Sequence, residues 1–400
     1  MDNQQIIQEG RKGSIIVFFV VLGQMFTKAF LNSILSFHFY GPVVQEWNLF
    51  YEVSVKMATA FMLALTENLG LPHLNSFQKI TSIPSIVPLT GSVKPLKNPI
   101  FPNLAVVEHI KHHAPGDWPE TANHLNHAIY AEWIYAPKCD HNYAIYMLHG
   151  GAYFAGSIQV NRRMAYFLSA QAKTPVFGIN YRLAPQHMYP CAVIDAVSGY
   201  IKLLESHDPK KIVIVGDSAG GGLTLATLLV IRDMGLPLPG GGYTMSPWCD
   251  LANYFTNFFE NHVSDYLPCV GTNVQDGQVH LYIRDKHART PYASPYWSSS
   301  FHNLPPLLIQ CGSAEKLYTE IKAFSKKAVK LGWNSVKMEV YKSHVHVFQA
   351  FEFTSASNVA MKRAGEWIRI VTRSPNKQDH HINQRVDLDF HGKITKRERV

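Results

Sequence analysis

The sequence is poor in charge and in cysteine. Only 16% of its 400 residues are charged and 46% are hydrophobic, which excludes an intrinsically disordered chain and predicts a large buried core. The cysteine count is odd, and no paired spacing is present among Cys139, Cys191, Cys249, Cys269 and Cys311. In a domain of this size such a count indicates mainly structural thiols, with at most two disulfide bridges possible. No internal repeat or low-complexity tract is present, which excludes solenoid and fibrous architectures.

The chain carries a formal charge of +8, but this charge does not point to nucleic acid as a partner. Much of the positive excess lies at the two termini, notably within residues 393–399. We expect the polar tail from about Ser374 to be disordered, and its charge to serve solubility or attraction to anionic lipid headgroups. His109, His112 and His113 lack cysteine or acidic partners at metal-ligand spacing. We therefore expect no metal and no cofactor.

The most informative motif is Gly216-Asp217-Ser218-Ala219-Gly220, which has the form G-x-S-x-G. It follows a β-branched stretch, residues 211–215, that reads as a buried parallel strand, and it precedes a predicted helix over residues 223–231. A serine at such a junction lies on a sharp turn that exposes its hydroxyl. The N–H of Ala219, at the helix N-terminus, can donate to a developing negative charge. The motif predicts Ser218 as a nucleophile and Ala219 as an oxyanion donor.

A second glycine motif, His149-Gly150-Gly151-Ala152-Tyr153, follows a predicted strand over residues 144–148. Consecutive glycines let a backbone turn so that its N–H groups face a ligand, so Gly150 and Gly151 are the other expected oxyanion donors. His149, Tyr153 and Asp217 are candidates for the substrate pocket. For Asp217 a structural hydrogen bond is the alternative, and Tyr153 either lines the acyl pocket or packs in the core.

A serine hydroxyl needs a base, and the base needs an orienting acid. In enzymes with this elbow, the acid and then the histidine follow the serine along the chain. Pro306–Gln310 is a predicted strand, and Glu315 lies in the loop after it. Val336–Tyr341 is the last predicted strand before the loop that carries His344 and His346. The sequence alone leaves both histidines as candidates.

The chain resembles the hormone-sensitive-lipase-like branch of the α/β-hydrolases over roughly residues 105–370. The matching pieces, in order, are His149-Gly150-Gly151-Ala152, Asn180-Tyr181-Arg182-Leu183-Ala184-Pro185, Tyr189-Pro190 with Asp195, Gly216-Asp217-Ser218-Ala219-Gly220-Gly221, Ser246-Pro247-Trp248-Cys249-Asp250-Leu251, Ser294-Pro295 and Leu304-Pro305-Pro306.

This resemblance implies a catalytic serine at Ser218. It also implies a catalytic histidine at His346, because the family motif Val-His-x-Phe matches residues 345–348. His344 then takes a neighbouring, site-facing position in the substrate pocket. Most members carry aspartate where this chain has Glu315, whose longer arm still reaches an imidazole. Glu320 is the fallback acid.

The expected fold is α/β, an α/β-hydrolase fold whose mostly parallel central sheet is flanked by helices. Strands are predicted over residues 129–135, 143–148, 176–181, 211–215, 243–246, 306–310 and 336–341, and helices over 162–172, 192–205, 223–232, 318–331 and 348–371. The expected organisation is an N-terminal apolar segment (1–40), a cap or linker region (41–104), a catalytic domain (105–372) with a lid insertion (about 253–290), and the basic tail (373–400).

The apolar run over residues 15–35 is preceded by Arg11 and Lys12 and is interrupted by Lys28. It predicts a membrane anchor, or alternatively a cap helix that docks on the hydrolase domain. If it spans, the positive flank favours a catalytic domain in the lumen of the endoplasmic reticulum, and the resemblance narrows to membrane-tethered steryl-acetate-type deacetylases. The alternative location is cytoplasmic. The absence of an N-x-[ST] sequon decides little between the two.

Taken together, the sequence predicts a serine carboxylic-ester hydrolase that acts through a Ser-His-Glu triad and an acyl-enzyme. The preferred substrate is a hydrophobic small-molecule ester, such as a lipid or sterol ester with a short acyl group. A non-catalytic ligand-binding protein on the same fold and an acyltransferase are the alternatives.

Overall fold

The computed structural model describes residues 23–68, 78–79, 81–113, 125–252, 264–267, 279–283, 287–374 and 383–400. Residues 15–22 of the predicted membrane segment lie outside the described residues. So does most of the predicted lid, namely residues 253–263, 268–278 and 284–286.

A central sheet of ten described strands runs through the molecule, in the order β1-β2-β4-β3-β5-β6-β7-β8-β9-β10. The strands are β1 (Ser92–Pro95), β2 (Tyr130–Tyr135), β3 (Ala144–Leu148), β4 (Val176–Asn180), β5 (Ile212–Asp217), β6 (Gly241–Met245), β7 (Leu307–Gly312), β8 (Val336–Tyr341), β9 (Gln384–Leu388) and β10 (Ile394–Arg399). Pairing is parallel from β4 to β9, whereas β1, β2 and β10 pair antiparallel to their neighbours.

The central strands are buried along their whole length because both faces of the sheet are covered. Every residue of β3, β5 and β6 is buried, as expected for parallel strands between two layers of helices. The seven strands predicted from the sequence are confirmed to within two residues at every end.

Nine helices flank or precede the sheet in the described residues: α1 (23–40), α2 (Leu49–Asn68), α3 (Leu104–His113), α4 (Ile158–Ala172), α5 (Cys191–Leu204), α6 (Ala219–Asp233), α7 (Val279–Tyr282), α8 (Tyr318–Lys330) and α9 (Ser355–Arg373). The last helix begins at Ser355 rather than at the predicted residue 348. Thr354 adopts an extended backbone, and its side chain accepts a hydrogen bond from Ser357 N, which is the geometry of an N-cap.

Residues 383–400 of the C-terminal tail form two strands, so the prediction of disorder from Ser374 was wrong for these residues. β9 adds to the sheet in parallel with β8, and β10 folds back antiparallel on β9. Val386 and Leu388 are buried, and Arg385 pairs with Asp387. The tail therefore contains a strand, β9, in which apolar and polar residues alternate despite the high overall charge.

The N-terminal region packs on the hydrolase domain. In α1, Met25 and Phe26 pack against the main hydrophobic core. Trp47 and Tyr51, at the start of α2, are buried in a small cluster with Val345. Across the part of the chain that the structure describes, none of the helices combines the length and the apolar character that a bilayer-spanning segment requires.

Candidate active site

Ser218 lies on a strained turn between β5 and α6. Its backbone has φ 53° and ψ −120°, and its N–H donates to Met245 O at 2.8 Å. A Cβ on Gly216 would lie 2.2 Å from Gly220 O, and a Cβ on Gly220 would lie 2.1 Å from Leu148 O. Both contacts are to backbone atoms, which explains why this tight turn requires glycine on each side of the serine. Ser218 itself is half-buried at the N-terminus of α6.

The second glycine motif turns directly after β3, with φ 121° at Gly151 and φ 51° at Ala152. Gly150 differs from its predicted role, because its N–H donates to the Asp217 carboxylate (Oδ1, 2.9 Å) instead of facing a ligand. Among the described residues, no hydrogen bond is donated by the N–H of Gly151 or of Ala219. These two groups stay available as donors, whereas Gly150 anchors the turn to the serine elbow.

Asp217 connects the two motifs. Its Oδ1 accepts hydrogen bonds from Gly150 N and from the Asn161 side chain, both at 2.9 Å. Burial raises the pKa of Asp217 to about 6, and the hydrogen bond from Gly150 limits the rise. The side chain therefore fixes the glycine turn beside Ser218, in line with the structural role considered for it from the sequence.

Glu315 lies in the loop after β7 and is fully buried. Its Oε2 accepts hydrogen bonds from Ser246 Oγ at 2.6 Å and from Gly312 N at 3.1 Å. Burial raises the pKa of Glu315 well above its usual range, and the hydrogen bond from Ser246 opposes the rise.

His346 lies in the loop after β8, with 2% of its surface exposed. Ser246 connects this loop to the acid, because its Oγ accepts from Val347 N at 3.0 Å and donates to Glu315. Within the described residues, neither ring nitrogen of His346 has a hydrogen-bond partner. Burial lowers the pKa of His346 to about 3, and the positive charge of Lys316 lowers it further. The structure thus brings the acid and histidine loops together, but it does not include a hydrogen bond from the imidazole to Glu315 or Ser218.

His344 does not face the site, which corrects the prediction that it lines the substrate pocket. Its Nδ1 is 3.0 Å from Tyr51 Oη, and its Nε2 is 2.9 Å from Phe390 O. Its ring also stacks on Phe390, with the ring centres 4.6 Å apart. Both nitrogens are used inside the protein, so His344 ties its loop to α2 and to the C-terminal hairpin.

The fallback acid, Glu320, serves another loop. Its Oε1 accepts hydrogen bonds from the backbone N–H groups of Cys249 and Asp250. This carboxylate therefore holds the segment after β6, whereas Glu315 is linked to the His346 loop through Ser246.

Buried aromatic rings line the serine elbow. Tyr153 stacks on Tyr282 with the ring centres 4.0 Å apart, and it lies 6.5 Å from the ring of Trp248. The backbone N–H of Trp248 donates to Ser218 O at 2.9 Å. His149 stacks on Tyr181 at 4.2 Å, and burial lowers its pKa to about 4. His149 and Tyr153, the two predicted pocket residues, are both buried in ring stacks. In this position they are bulky neutral rings and not charged groups.

Two residues near the site were not given a role from the sequence. Ser246 joins the acid and histidine loops, and Asp265, from the insertion after β6, accepts a hydrogen bond from His346 N at 3.1 Å. Ser246 lies in a motif that the resemblance had marked. Asp265 lies in a segment without helical or strand periodicity, where no local signal points to it.

Comparison with known proteins identifies the family and agrees with the fold. Residues 145–350 match a family model described as the alpha/beta hydrolase fold. An acetyl-hydrolase of Streptomyces hygroscopicus is 34% identical over 244 residues, which cover 60% of this chain and 80% of that protein. An esterase of Acinetobacter venetianus is 35% identical over 186 residues, 46% of this chain and 60% of that protein.

Solved structures give the same result. A crystal structure of EstE5 soaked with p-nitrophenyl butyrate superposes with a TM-score of 0.63 at 29% identity, covering 79% of this chain and 99% of that one. A crystal structure of an esterase from the bacterial hormone-sensitive lipase family gives a TM-score of 0.56 at 31% identity, covering 66% and 96%. The chain belongs to this family of α/β-hydrolases, in its hormone-sensitive-lipase-like branch, and is a carboxylic-ester hydrolase.

Proposed function

We propose that Ser218 is the nucleophile, His346 the general base and Glu315 the orienting acid of a serine esterase. The strained serine at the N-terminus of α6 carries this proposal, because its turn presents a hydroxyl beside the N–H groups of Gly151 and Ala219, which donate no hydrogen bond within the described residues. The bridge that Ser246 forms between the acid and histidine loops supports the choice of Glu315. Catalytic hydrogen bonds are often absent before substrate binds and form only in the complex.

In the proposed reaction, Ser218 Oγ attacks the acyl carbonyl carbon while His346 takes the hydroxyl proton. The carbonyl oxygen becomes an oxyanion, which the N–H groups of Gly151 and Ala219 stabilise. The ester C–O bond then breaks, and the alcohol leaves with the proton from His346. Water attacks the resulting acyl-enzyme, His346 takes its proton, and the acid is released as Ser218 regains a proton.

In the proposed cycle, His346 gains and loses a positive charge within a buried site that also contains Glu315. Burial makes the imidazolium of His346 and the carboxylate of Glu315 each unfavourable when it carries its charge alone. When His346 accepts a proton beside ionised Glu315, the two opposite charges compensate each other in a low-dielectric surrounding. The acid thus stabilises the imidazolium and sets the ring orientation.

For the substrate, we propose an ester of a hydrophobic alcohol with a short acyl group. A Cβ on Gly222, one turn after Ser218 in α6, would lie 3.3 Å from the Tyr153 hydroxyl, so the stack of Tyr153 on Tyr282 leaves less room there for a long acyl chain. The relative from Streptomyces hygroscopicus is named an acetyl-hydrolase, which supports a short acyl group. Sterol and lipid esters belong to this class of hydrophobic substrates.

We also propose that α1 contacts a lipid surface. Its outward side chains Phe30, Leu31, Leu35 and Phe39 are each at least 47% exposed, whereas Ser33 faces inward and is buried. A helix with its large apolar residues outside is typical of interfacial binding. Wild-type protein should sediment with phosphatidylcholine–phosphatidylserine vesicles, and Leu35→Ser with Phe39→Ser should reduce the bound fraction severalfold. A wild type that stays in the supernatant would contradict this contact.

The central test compares p-nitrophenyl acetate hydrolysis by wild type and by Ser218→Ala. We expect kcat to fall by at least about 10⁴-fold, as for other serine nucleophiles. Ser325→Ala is the matched control, because Ser325 is buried in α8 and its hydroxyl has no hydrogen-bond partner among the described residues. It should retain wild-type turnover.

Three outcomes would contradict the proposal. Wild-type turnover in Ser218→Ala would exclude this nucleophile, and a lack of turnover by wild type on acetyl to butyryl esters would favour a ligand-binding protein. Transfer of the acyl group to an added alcohol, without free acid, would make the protein an acyltransferase.

A further inference from the structure

Asp265 makes three hydrogen bonds to backbone N–H groups, and two of these groups belong to the acid and histidine loops. Its Oδ2 accepts from Lys316 N at 2.9 Å, directly after Glu315. Its Oδ1 accepts from His346 N at 3.1 Å and from Tyr266 N at 2.9 Å. The side chain is buried, with 2% exposure, and comes from the insertion between β6 and β7.

The residues around Asp265 lie against the same two loops. Ser264 Oγ donates to Ala314 O at 3.0 Å, and the Tyr266 ring centre is 6.1 Å from that of His346. Lys316 Nζ donates to Leu267 O. Each residue of the stretch 264–267 therefore contacts one of the loops that carry the proposed acid and base, and Asp265 contacts both.

Only a carboxylate suits this position. Two N–H groups from different loops point at its two oxygens, and each oxygen acts as an acceptor. Asparagine has one acceptor oxygen and one NH₂ group, so it can satisfy one loop but must present a donor to the N–H of the other. A buried N–H left without an acceptor costs about 1–3 kcal/mol, so one loop would have to shift.

We propose that Asp265 is a positioning residue that fixes Glu315 and His346 relative to each other through the backbone of their loops. This inference rests on the proposed triad. Ser246, directly after β6, joins the same two loops. Asp265, further along the chain in the insertion before β7, supplies a second connection between them. Displacing either loop by about 1 Å would misalign the imidazole and lower kcat by up to about 10²-fold.

The experiment measures kcat and KM for p-nitrophenyl acetate in Asp265→Asn and Asp265→Ala. We expect kcat to fall about 10-fold to 100-fold in Asp265→Asn and at least as much in Asp265→Ala, with KM within about twofold of wild type. Asp140→Asn is the matched control, because Asp140 also accepts a backbone N–H, that of Asn142, in an exposed turn between β2 and β3. It should leave kcat unchanged. Circular dichroism and tryptophan fluorescence give the folded fraction to which each kcat is referred.

Wild-type kcat in folded Asp265→Asn and Asp265→Ala would overturn the inference, as would a change in KM with kcat unchanged, which indicates substrate contact. Failure of both variants to fold would also overturn it, because Asp265 would then be required for the fold. These results are distinct from failure of the proposed function, in which wild type itself lacks turnover that depends on Ser218.

Discussion

The two halves of the proposed triad are held in different ways. Ser218 is fixed by its own chain, because β5, the turn and α6 determine its strained backbone, and the adjacent glycine turn is attached through Asp217. Glu315 and His346 instead lie in loops whose positions depend on side chains from elsewhere. Ser246 and Asp265 bond to both loops, and Tyr51 holds His344 beside the base.

Substitutions in the two halves should therefore affect different properties of the protein. A larger side chain at Gly216 or Gly220 in the serine half introduces steric conflict with the backbone and should affect folding and activity together. A change in the loop half removes a hydrogen bond or a charge and can affect activity without unfolding the protein. The predictions below test this contrast.

The largest effect is expected for Glu315→Gln. Glutamine keeps a carbonyl oxygen that can accept from Ser246 and Gly312, so the fold should persist, but the charge that stabilises the imidazolium is lost. We expect kcat for p-nitrophenyl acetate to fall about 10³-fold to 10⁴-fold with little change in the denaturation midpoint. Glu320→Gln is the control, since it is an identical change in a buried acid that serves another loop. A large loss of kcat in Glu320→Gln alone would reverse the assignment of the acid.

Gly220→Ala should lower both the stability and the activity of the protein. The new Cβ would lie 2.1 Å from Leu148 O, so β3 or the elbow must move. We expect the free energy of unfolding to drop by about 3 kcal/mol or more, and Ser218-dependent turnover to be lost. Gly23→Ala is the control, because its Cβ would meet no atom of the described residues within 4 Å. An elbow that accepts alanine with normal stability would show that the serine half is not sterically defined.

Tyr51→Phe tests the support of the histidine loop from α2. It removes the hydroxyl that lies 3.0 Å from His344 Nδ1 and that accepts from Val345 N at 3.4 Å. Because both groups are buried, we expect a loss of about 2 kcal/mol in the free energy of unfolding, measured by urea denaturation. The loss of kcat should stay below that of Glu315→Gln. Unchanged stability would indicate that the loop is held without α2.

The smallest effect concerns pH. Burial lowers the pKa of His344 in the folded protein to about 4, below the usual value of 6.5, so the unfolded chain binds more protons between these values. The stabilising contribution is complete above about pH 6.5 and is lost as the pH falls towards 4. Between pH 7 and pH 5.5 it should decrease by about 1 kcal/mol. His344→Gln should show a correspondingly shallower fall in urea midpoint over this range; an identical fall would contradict the assignment.

The same contrast decides what could be predicted from the sequence. The serine elbow and the seven predicted strands follow from local patterns, namely glycine spacing and β-branched runs, and they are confirmed. Gly150 shows the limit of such patterns, because a pair of glycines does not reveal which N–H a neighbouring carboxylate will take.

Long-range contacts account for the other differences. The sequence placed His344 beside the site, but its partners Tyr51 and Phe390 are distant along the chain, and only folding brings them to its ring. The C-terminal strands were missed because charged residues outnumber apolar ones across β9 and β10 taken together. Only Val386 and Leu388, which alternate with polar residues in β9, are buried. Asp265 accepts hydrogen bonds from the backbone N–H groups of Lys316 and His346. Because almost every residue has such a group, the sequence does not indicate which ones a carboxylate will bind.

The proposed activation of Ser218 by His346 is tested most directly by covalent labelling of the serine with a fluorophosphonate. Peptide mass spectrometry then locates the modified residue. We expect the label on Ser218 alone, and a labelling rate at least about 10³-fold lower in His346→Ala, because the hydroxyl then lacks its base. A label at another residue, or a wild-type labelling rate in His346→Ala, would contradict the proposal that His346 activates Ser218.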